Sequence, residues 1–237
     1  NGGTKDNAIP RECEASLIYE SDEEAAKAEE LACELAETYA EELTPAEPDF
    51  SCEISCETNR TAEAIPQDAA KEFICAMRLA PNGIQKRNIK MDGFVVVSLN
   101  LGVVRTEEDR IVMIFSPRSS VASLQEDTKE RLNTLAETFG FTVSHSSEYP
   151  GWSFKEDSPV REICKESYKE LFGEDLKIEA IHAGLECGLF SDAIKGLDAI
   201  AIGPTIANCH TPDEYLTLDS FERFYEFLKD ILSRLAK

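Results

Sequence analysis

The chain has 237 residues, 42% of them hydrophobic and 30% charged, which is enough to bury a core in one large or two medium domains and too apolar for a disordered composition. Its 46 acids against 24 bases give a formal net charge of -22. That charge is spread along the chain and argues against nucleic acid or anionic membrane as a partner, since both need a basic surface; no apolar run reaches the length of a membrane span.

Eight cysteines are present, an even number that is compatible with disulfides. The chain is long, however, shows no signal peptide, and places most of them where an apolar core residue belongs. They read as reduced thiols of a cytoplasmic protein. The chain opens on Asn1-Gly2-Gly3-Thr4 without an initiator Met or a targeting pattern, and on that basis reads as a fragment whose front is absent.

Residues 11–20 alternate, with Cys13, Ala15, Leu17 and Tyr19 on one side, and predict a half-buried strand. Ser21-x-x-Glu24 is a capping box that opens a helix running to about Leu43 and stopping at Pro45. Residues 50–56 alternate again and predict a second strand. A helix near 67–79 ends at the Pro81-Asn82-Gly83 turn. Residues 94–104 and 111–115 predict a strand pair joined by the acidic turn Thr106–Asp109. A helix over 121–139 closes on Gly140, followed by a strand at 141–145. This first part, 1–148, predicts an α+β sandwich: an antiparallel sheet with helices on one face.

Tyr149-Pro150-Gly151-Trp152 marks a domain boundary. Beyond it, over 149–237, the rhythm becomes α/β. Ser158-Pro159 caps a helix that Gly173 ends, a strand is predicted at 176–181, and a short helical turn lies near 185–190. The apolar stretch 197–202 suits a buried parallel strand, and Asp219-x-x-Glu222 caps a last helix. Two strands do not make an independent doubly wound sheet, so partners outside this chain are expected for them.

Three histidines are present. His145 reads as an ordinary rim residue, whereas His182 and His210 sit in loops leaving the carboxyl ends of two successive strands, where α/β sheets bind ligands. By spacing alone His210 is a loop histidine bonded to backbone or one metal ligand without companions, because a catalytic zinc takes about three protein ligands and an open position. Cys209 beside it reads as a packed thiol rather than a nucleophile. Arg118 is either a solvated arginine near a helix start or a guanidinium fork for a substrate carboxylate. Asn7 by itself is a turn residue. Gly184 either starts a helix or lets backbone approach a ligand. Glu186 either orients a substrate amine or complements the N-terminus of its own short helix.

Several stretches taken together resemble one family. They are Asn1–Thr4 with Asn7-Ala8-Ile9-Pro10-Arg11-Glu12, Ser98-Leu99-Asn100-Leu101-Gly102, Tyr149-Pro150-Gly151-Trp152, His182-Ala183-Gly184-Leu185-Glu186-Cys187-Gly188, Gly203-Pro204-Thr205 and His210-Thr211-Pro212-Asp213-Glu214. In order and over the whole chain these are similar to the aminoacyl-histidine (Xaa-His) dipeptidases, carnosinase-like members of the zinc aminoacylase and carboxypeptidase G superfamily. The resemblance implies an α/β catalytic domain holding two zinc ions, with an inserted lid that also dimerises. Residues 1–148 then correspond to most of the lid and residues 149–237 to the closing segment of the catalytic domain. It implies His210 as a metal ligand, Asn7 and Arg118 as lid residues binding the substrate end, and Gly184 as a backbone contact to substrate, with Glu186 beside it. The family's His-x-Asp pair, bridging Asp and Glu-Glu general base have no counterpart in this chain. The expectation is therefore a dipeptide-hydrolysing zinc enzyme, homodimeric and cytoplasmic, of which this chain alone is inactive and holds zinc weakly if at all. Two other readings stand beside it: a stand-alone binding or dimerisation module, and a deacylase of the same superfamily.

Overall fold

The computed structural model describes residues 1–57, 63–89, 93–146, 150–152, 154–179, 186–209 and 213–236. Helix α1 spans Asp22–Leu43, and the Ser21 side chain accepts the Glu24 main-chain N–H at 3.2 Å, the first half of the predicted capping box. Helix α2 spans Gln67–Leu79. Three strands follow: β1 over Gly83–Asn88, β2 over Phe94–Thr106 and β3 over Ile111–Ser119. They form one antiparallel sheet in the order β1-β2-β3, with Leu99 opposite Gly83 on one side and Pro117 on the other.

The β2–β3 hairpin closes where predicted. Glu107 N–H donates to Arg110 O at 2.8 Å, and Arg110 Nε meets the Glu107 carboxylate at 2.7 Å. Helix α3, Ala122–Thr138, lies against β3, and α2 lies against α3. Gly140 follows at φ 68°, the left-handed conformation that a helix end favours glycine for. The buried residues of this layer are Val97, Leu99, Gly102 and Val103 of β2, Ala76 of α2, and Thr128 and Ala136 of α3.

A second core lies between α4, Pro159–Phe172, and α6, Leu218–Leu235. Ser158 caps α4 by accepting the Arg161 N–H at 3.2 Å, and Gly173 ends the helix at φ 72°. Cys164, Phe227 and Ile231 are buried together, with Tyr168, Ile200 and Ile202 packed around them. Tyr168 meets Phe227 edge-on at 5.3 Å, an arrangement in which ring edge faces ring face. Helix α5, Glu186–Ala193, and a two-stranded ladder of β4, Ile206–Ala207, with β5, Tyr215–Leu216, complete the fold. Among the described residues no helix is long and apolar enough to cross a membrane.

Five predicted strands are not strands. Residues 11–20 contribute a single bridge from Cys13 to Gly2, while 50–56, 141–145, the described part of 176–181, and 197–202 join no ladder. A strand needs a continuous hydrogen-bonding neighbour. Residues 11–20, exposed throughout, meet only the chain's first residues, with Glu14 N–H donating to Asn1 O at 2.7 Å and Gly3 N–H to Glu12 O at 3.3 Å, and among the described residues the other four segments join no ladder. Segment 197–202 is partly buried rather than fully, with Ile200 and Ile202 packed on the α4–α6 core and Ala201 exposed. The last helix is capped by Thr217, which is extended at φ -82°, ψ 123°, so Asp219 lies inside the first turn rather than before it. The thiols also differ from expectation. All eight are free, but only Cys164 is buried and Cys187 half-buried; the other six, Cys209 included, are exposed.

Candidate substrate-binding face

On β2, Val97 and Leu99 point to the buried side of the sheet. Ser98 and Asn100 alternate with them and point to the other. Across the ladder Ser98 stands opposite Arg118 and Asn100 opposite Ser116. The sheet thus has a polar face carrying Ser98, Asn100, Ser116 and Arg118.

The Asn7 segment lies on that face. Ala8 N–H donates to Lys5 O at 3.3 Å, which makes Lys5–Ala8 a turn with Asp6 and Asn7 at its centre. The Asn100 side-chain amide reaches up from the strand and donates to Asp6 O and to Ala8 O, both at 2.8 Å. Two glycines permit the approach. A Cβ on Gly102 would stand 2.4 Å from Asp6 O, and one on Gly3 would stand 1.9 Å from Gly102 O. Upstream of the turn, Gly2 exchanges hydrogen bonds with Val104 at 2.8 and 2.9 Å, and the Asn1 side chain accepts Thr106 N–H at 2.7 Å. The opening residues therefore extend the sheet alongside β2 and then fold the turn over its polar face.

The end of β3 leads to the second half of the chain. A Cβ on Gly151 would stand 2.7 Å from Ser119 O, and one on Gly188 would stand 2.6 Å from Pro150 O. The Pro150–Trp152 connection is thus wedged between the residue after Arg118 and helix α5, whose first residue is Glu186. Cys187 in the same turn points its thiol at Ile200 O, 3.8 Å away, seating α5 on the apolar 197–202 segment. Glu186 is exposed in the first turn of α5, where its charge complements the helix N-terminus.

The structure therefore brings Asn7 and Arg118 to one face and sets Glu186 on the helix packed behind the strand end. Gly184, His182 and His210 lie outside the described residues. The flanks of His210 are described: β4 pairs with β5, and Asn208, at φ 54°, donates its side-chain amide to Asp213 O at 3.3 Å. Among the described residues no group of three or more His, Cys, Asp and Glu is placed to hold a metal ion. His145 bonds Asn133 Oδ1 at 2.8 Å and is exposed, an ordinary rim residue as read from the sequence. Asn100 belongs to the 98–102 stretch of the sequence reading, which assigned it no role, and its contacts with the Lys5–Ala8 turn are seen only in the structure. Its signal was present as a large polar side chain at the exposed phase of an otherwise apolar strand.

The sequence and the fold match known proteins. The profile of Peptidase family M20/M25/M40 matches residues 4–234. The cytosol non-specific dipeptidase of Escherichia coli (strain K12) is 32% identical over 239 aligned positions, which cover 99% of this chain and 48% of that protein. The crystal structure of aminoacylhistidine dipeptidase from Vibrio alginolyticus superposes with a TM-score of 0.80 at 31% identity, covering 98% of this chain and 47% of that one. Aminopeptidase PepT from Bacillus cereus ATCC 10987, at 19% identity and a TM-score of 0.54, shares the fold. The chain spans about half the length of the relatives it matches.

Proposed function

The chain belongs to peptidase family M20/M25/M40, and from that premise we propose that it is part of a metal-dependent dipeptidase acting on Xaa-His dipeptides of the β-alanyl-histidine class. The observation that carries the reading is the placement of Arg118 and the Asn7 turn on one polar sheet face. The Arg118 guanidinium offers two parallel N–H donors to the substrate carboxylate, and the Asn7 carboxamide offers a donor and an acceptor to the same end of the dipeptide. Fixing that end orients the scissile bond, which lowers the entropic part of the barrier. Glu186 is proposed to orient the substrate amine and Gly184 to be a backbone contact to substrate.

His210 is proposed as one ligand of a two-zinc centre. Among the described residues no group of three or more His, Cys, Asp and Glu is placed to hold a metal ion, and no general base is assigned in this chain. The contribution argued for this chain is therefore binding and orientation. The 237-residue polypeptide by itself is expected not to hydrolyse dipeptides and to hold zinc weakly. Residues 1–148 are proposed as the lid and 149–237 as a catalytic-domain segment, in a cytoplasmic enzyme.

The test is hydrolysis of β-alanyl-histidine, other dipeptides and N-acyl amino acids by the whole protein loaded with zinc, alongside this chain alone. Preferential cleavage of N-acyl amino acids moves the assignment to a deacylase. Turnover by this chain alone overturns the division of labour proposed here.

A second reading, a dimerisation role for residues 1–148, is favoured by exposed apolar area. Helix α1 buries no residue and leaves Leu31, Leu35 and Tyr39 exposed in a helical stripe. We propose a homodimer through this part. Sedimentation equilibrium of wild type and Leu35→Glu tests it; a monomer at every concentration removes the reading.

A further inference from the structure

We propose that Asn100 is a positioning residue for substrate binding, acting through Asn7: its carboxamide clamps the Lys5–Ala8 turn from below and sets the direction of the Asn7 side chain. The proposal rests on the reading of Asn7 and Arg118 as substrate-binding residues.

The Asn100 Nδ2 atom donates both of its hydrogens, one to Asp6 O and one to Ala8 O, each at 2.8 Å. These carbonyls flank Asn7 on either side. Among the described residues, the turn's own closing hydrogen bond is the long one from Ala8 N–H to Lys5 O at 3.3 Å, so the clamp from the strand holds it more firmly than its own closure does. Asn7 sits at the third position of a four-residue turn, where a free turn would exchange between conformers and swing the side chain with them. A double clamp on the two neighbouring carbonyls removes that freedom without touching Asn7 itself.

The surroundings are shaped for this clamp. Gly102, buried at the irregularity of β2 between Leu101 and Val103, leaves the space that Asp6 fills. Asn100 pairs with Ser116, two residues from Arg118 on the same strand and the same face. The strand that fixes Arg118 therefore also fixes Asn7, and the two groups that would hold one substrate end share a single rigid support. Preorganisation of this kind lowers the ordering cost at binding. Aspartate in place of Asn100 has the same shape but no donors, and it sets a carboxylate against two carbonyl oxygens.

The experiment is a double-mutant cycle in the whole zinc-loaded protein on β-alanyl-histidine, joined to amide hydrogen exchange over residues 5–9. Asn7→Ala alone is expected to raise KM about tenfold, the loss of one or two hydrogen bonds to substrate. Asn100→Asp is expected to raise KM by about the same factor with a smaller change in kcat, and to speed exchange at Ala8. The double variant is expected to be no worse than Asn7→Ala, since a residue that works only through Asn7 has nothing left to position. If Asn7→Ala leaves KM unchanged, the substrate-binding reading itself fails. If Asn7→Ala raises KM but Asn100→Asp does not, or the two effects multiply, the positioning role is overturned. Should Asn100→Asp fail to fold, Asn100→Ser, which keeps one donor on a shorter side chain, takes its place in the same cycle.

Discussion

Asp198 accepts the main-chain N–H of Val160 at 3.0 Å, tying the apolar 197–202 segment to the first turn of α4 across 38 residues of chain. Burial pushes the Asp198 carboxyl up. The Val160 N–H, the Ser158 hydroxyl and the nearby Lys155 and Arg161 cations outweigh it and hold the group below its ordinary value. A carboxylate whose folded pKa is depressed stabilises the fold above the unfolded pKa of about 3.9 and loses that contribution as pH falls through the folded value. Asp198→Asn is expected to lower stability at neutral pH by about 1 kcal/mol, the scale of a charge at a helix N-terminus. The gap from wild type should begin to narrow below about pH 4 and close only as pH falls through the folded value. Urea unfolding of both proteins at pH 7 and pH 3.5 reads this directly; a gap that is constant or grows in acid contradicts it.

The same contact shows why helices were legible in this sequence and most strands were not. Helix signals are local: Ser21 and Glu24 lie three residues apart, as do Ser158 and Arg161, and Gly140 and Gly173 mark helix ends by conformation alone. The β2–β3 hairpin was legible because each strand's partner is its neighbour in sequence. Segment 197–202 was read as a buried strand, but it is only partly buried, with Ala201 exposed, and its attachment to α4 runs through a side chain, Asp198, and not through a ladder. Strand β1 escaped notice because Gly83–Asn88 carries one large apolar residue, Ile84, and its pairing with β2 shifts register twice. At the candidate site, Asn7 read by itself as a turn residue and Arg118 as either a solvated or a carboxylate-binding arginine, their substrate roles coming only from the family resemblance; their common face follows from β2–β3 register and from Asn100, whose partners lie more than 90 positions away.

Gly102→Ala is expected to detach the opening residues from β2. The added methyl would meet the Asp6 carbonyl carbon at 2.7 Å and its Cα at 2.6 Å, and backbone cannot yield as a flexible side-chain tip can. The expected cost is about 1–3 kcal/mol, borne by the 1–10 segment rather than by the α4–α6 core. Hydrogen exchange should therefore rise at Gly2 and Val104, which bond each other, and stay unchanged at Gly173 N–H. Equal acceleration at both places would show that the methyl destabilises the whole chain and not the docking alone.

Arg118→Lys keeps the charge but replaces a planar fork with a point charge. If Arg118 clamps a substrate carboxylate through two parallel hydrogen bonds, the whole protein should lose about tenfold or more in kcat/KM, mostly through KM. Arg118→Leu should lose further still, since the charge goes too. A free carboxylate is the recognised group in this account. A dipeptide amide, with the carboxylate blocked, should therefore be a poor substrate for wild type and be discriminated little by the variants. Equal losses on the free and the blocked substrate would place Arg118 in the fold and not at the substrate.

Cys164 should be the last of the eight thiols to react. It is fully buried in the α4–α6 core beside Phe227 and Ile231, and burial pushes its thiol up to about 11, far above solution pH. The nucleophile in thiol modification is the thiolate, so both access and ionisation protect it. Timed labelling at pH 8 with mass-spectrometric mapping should mark the six exposed cysteines first and Cys187 after them. Cys164 should be marked only at the rate at which its core opens. Phe227→Ala, which removes a ring packed edge-on against Tyr168, is expected to cost about 3–5 kcal/mol of core packing. It should accelerate labelling of Cys164 by orders of magnitude while leaving Cys13 and Cys33, which are exposed and lie outside that core, at their former rates.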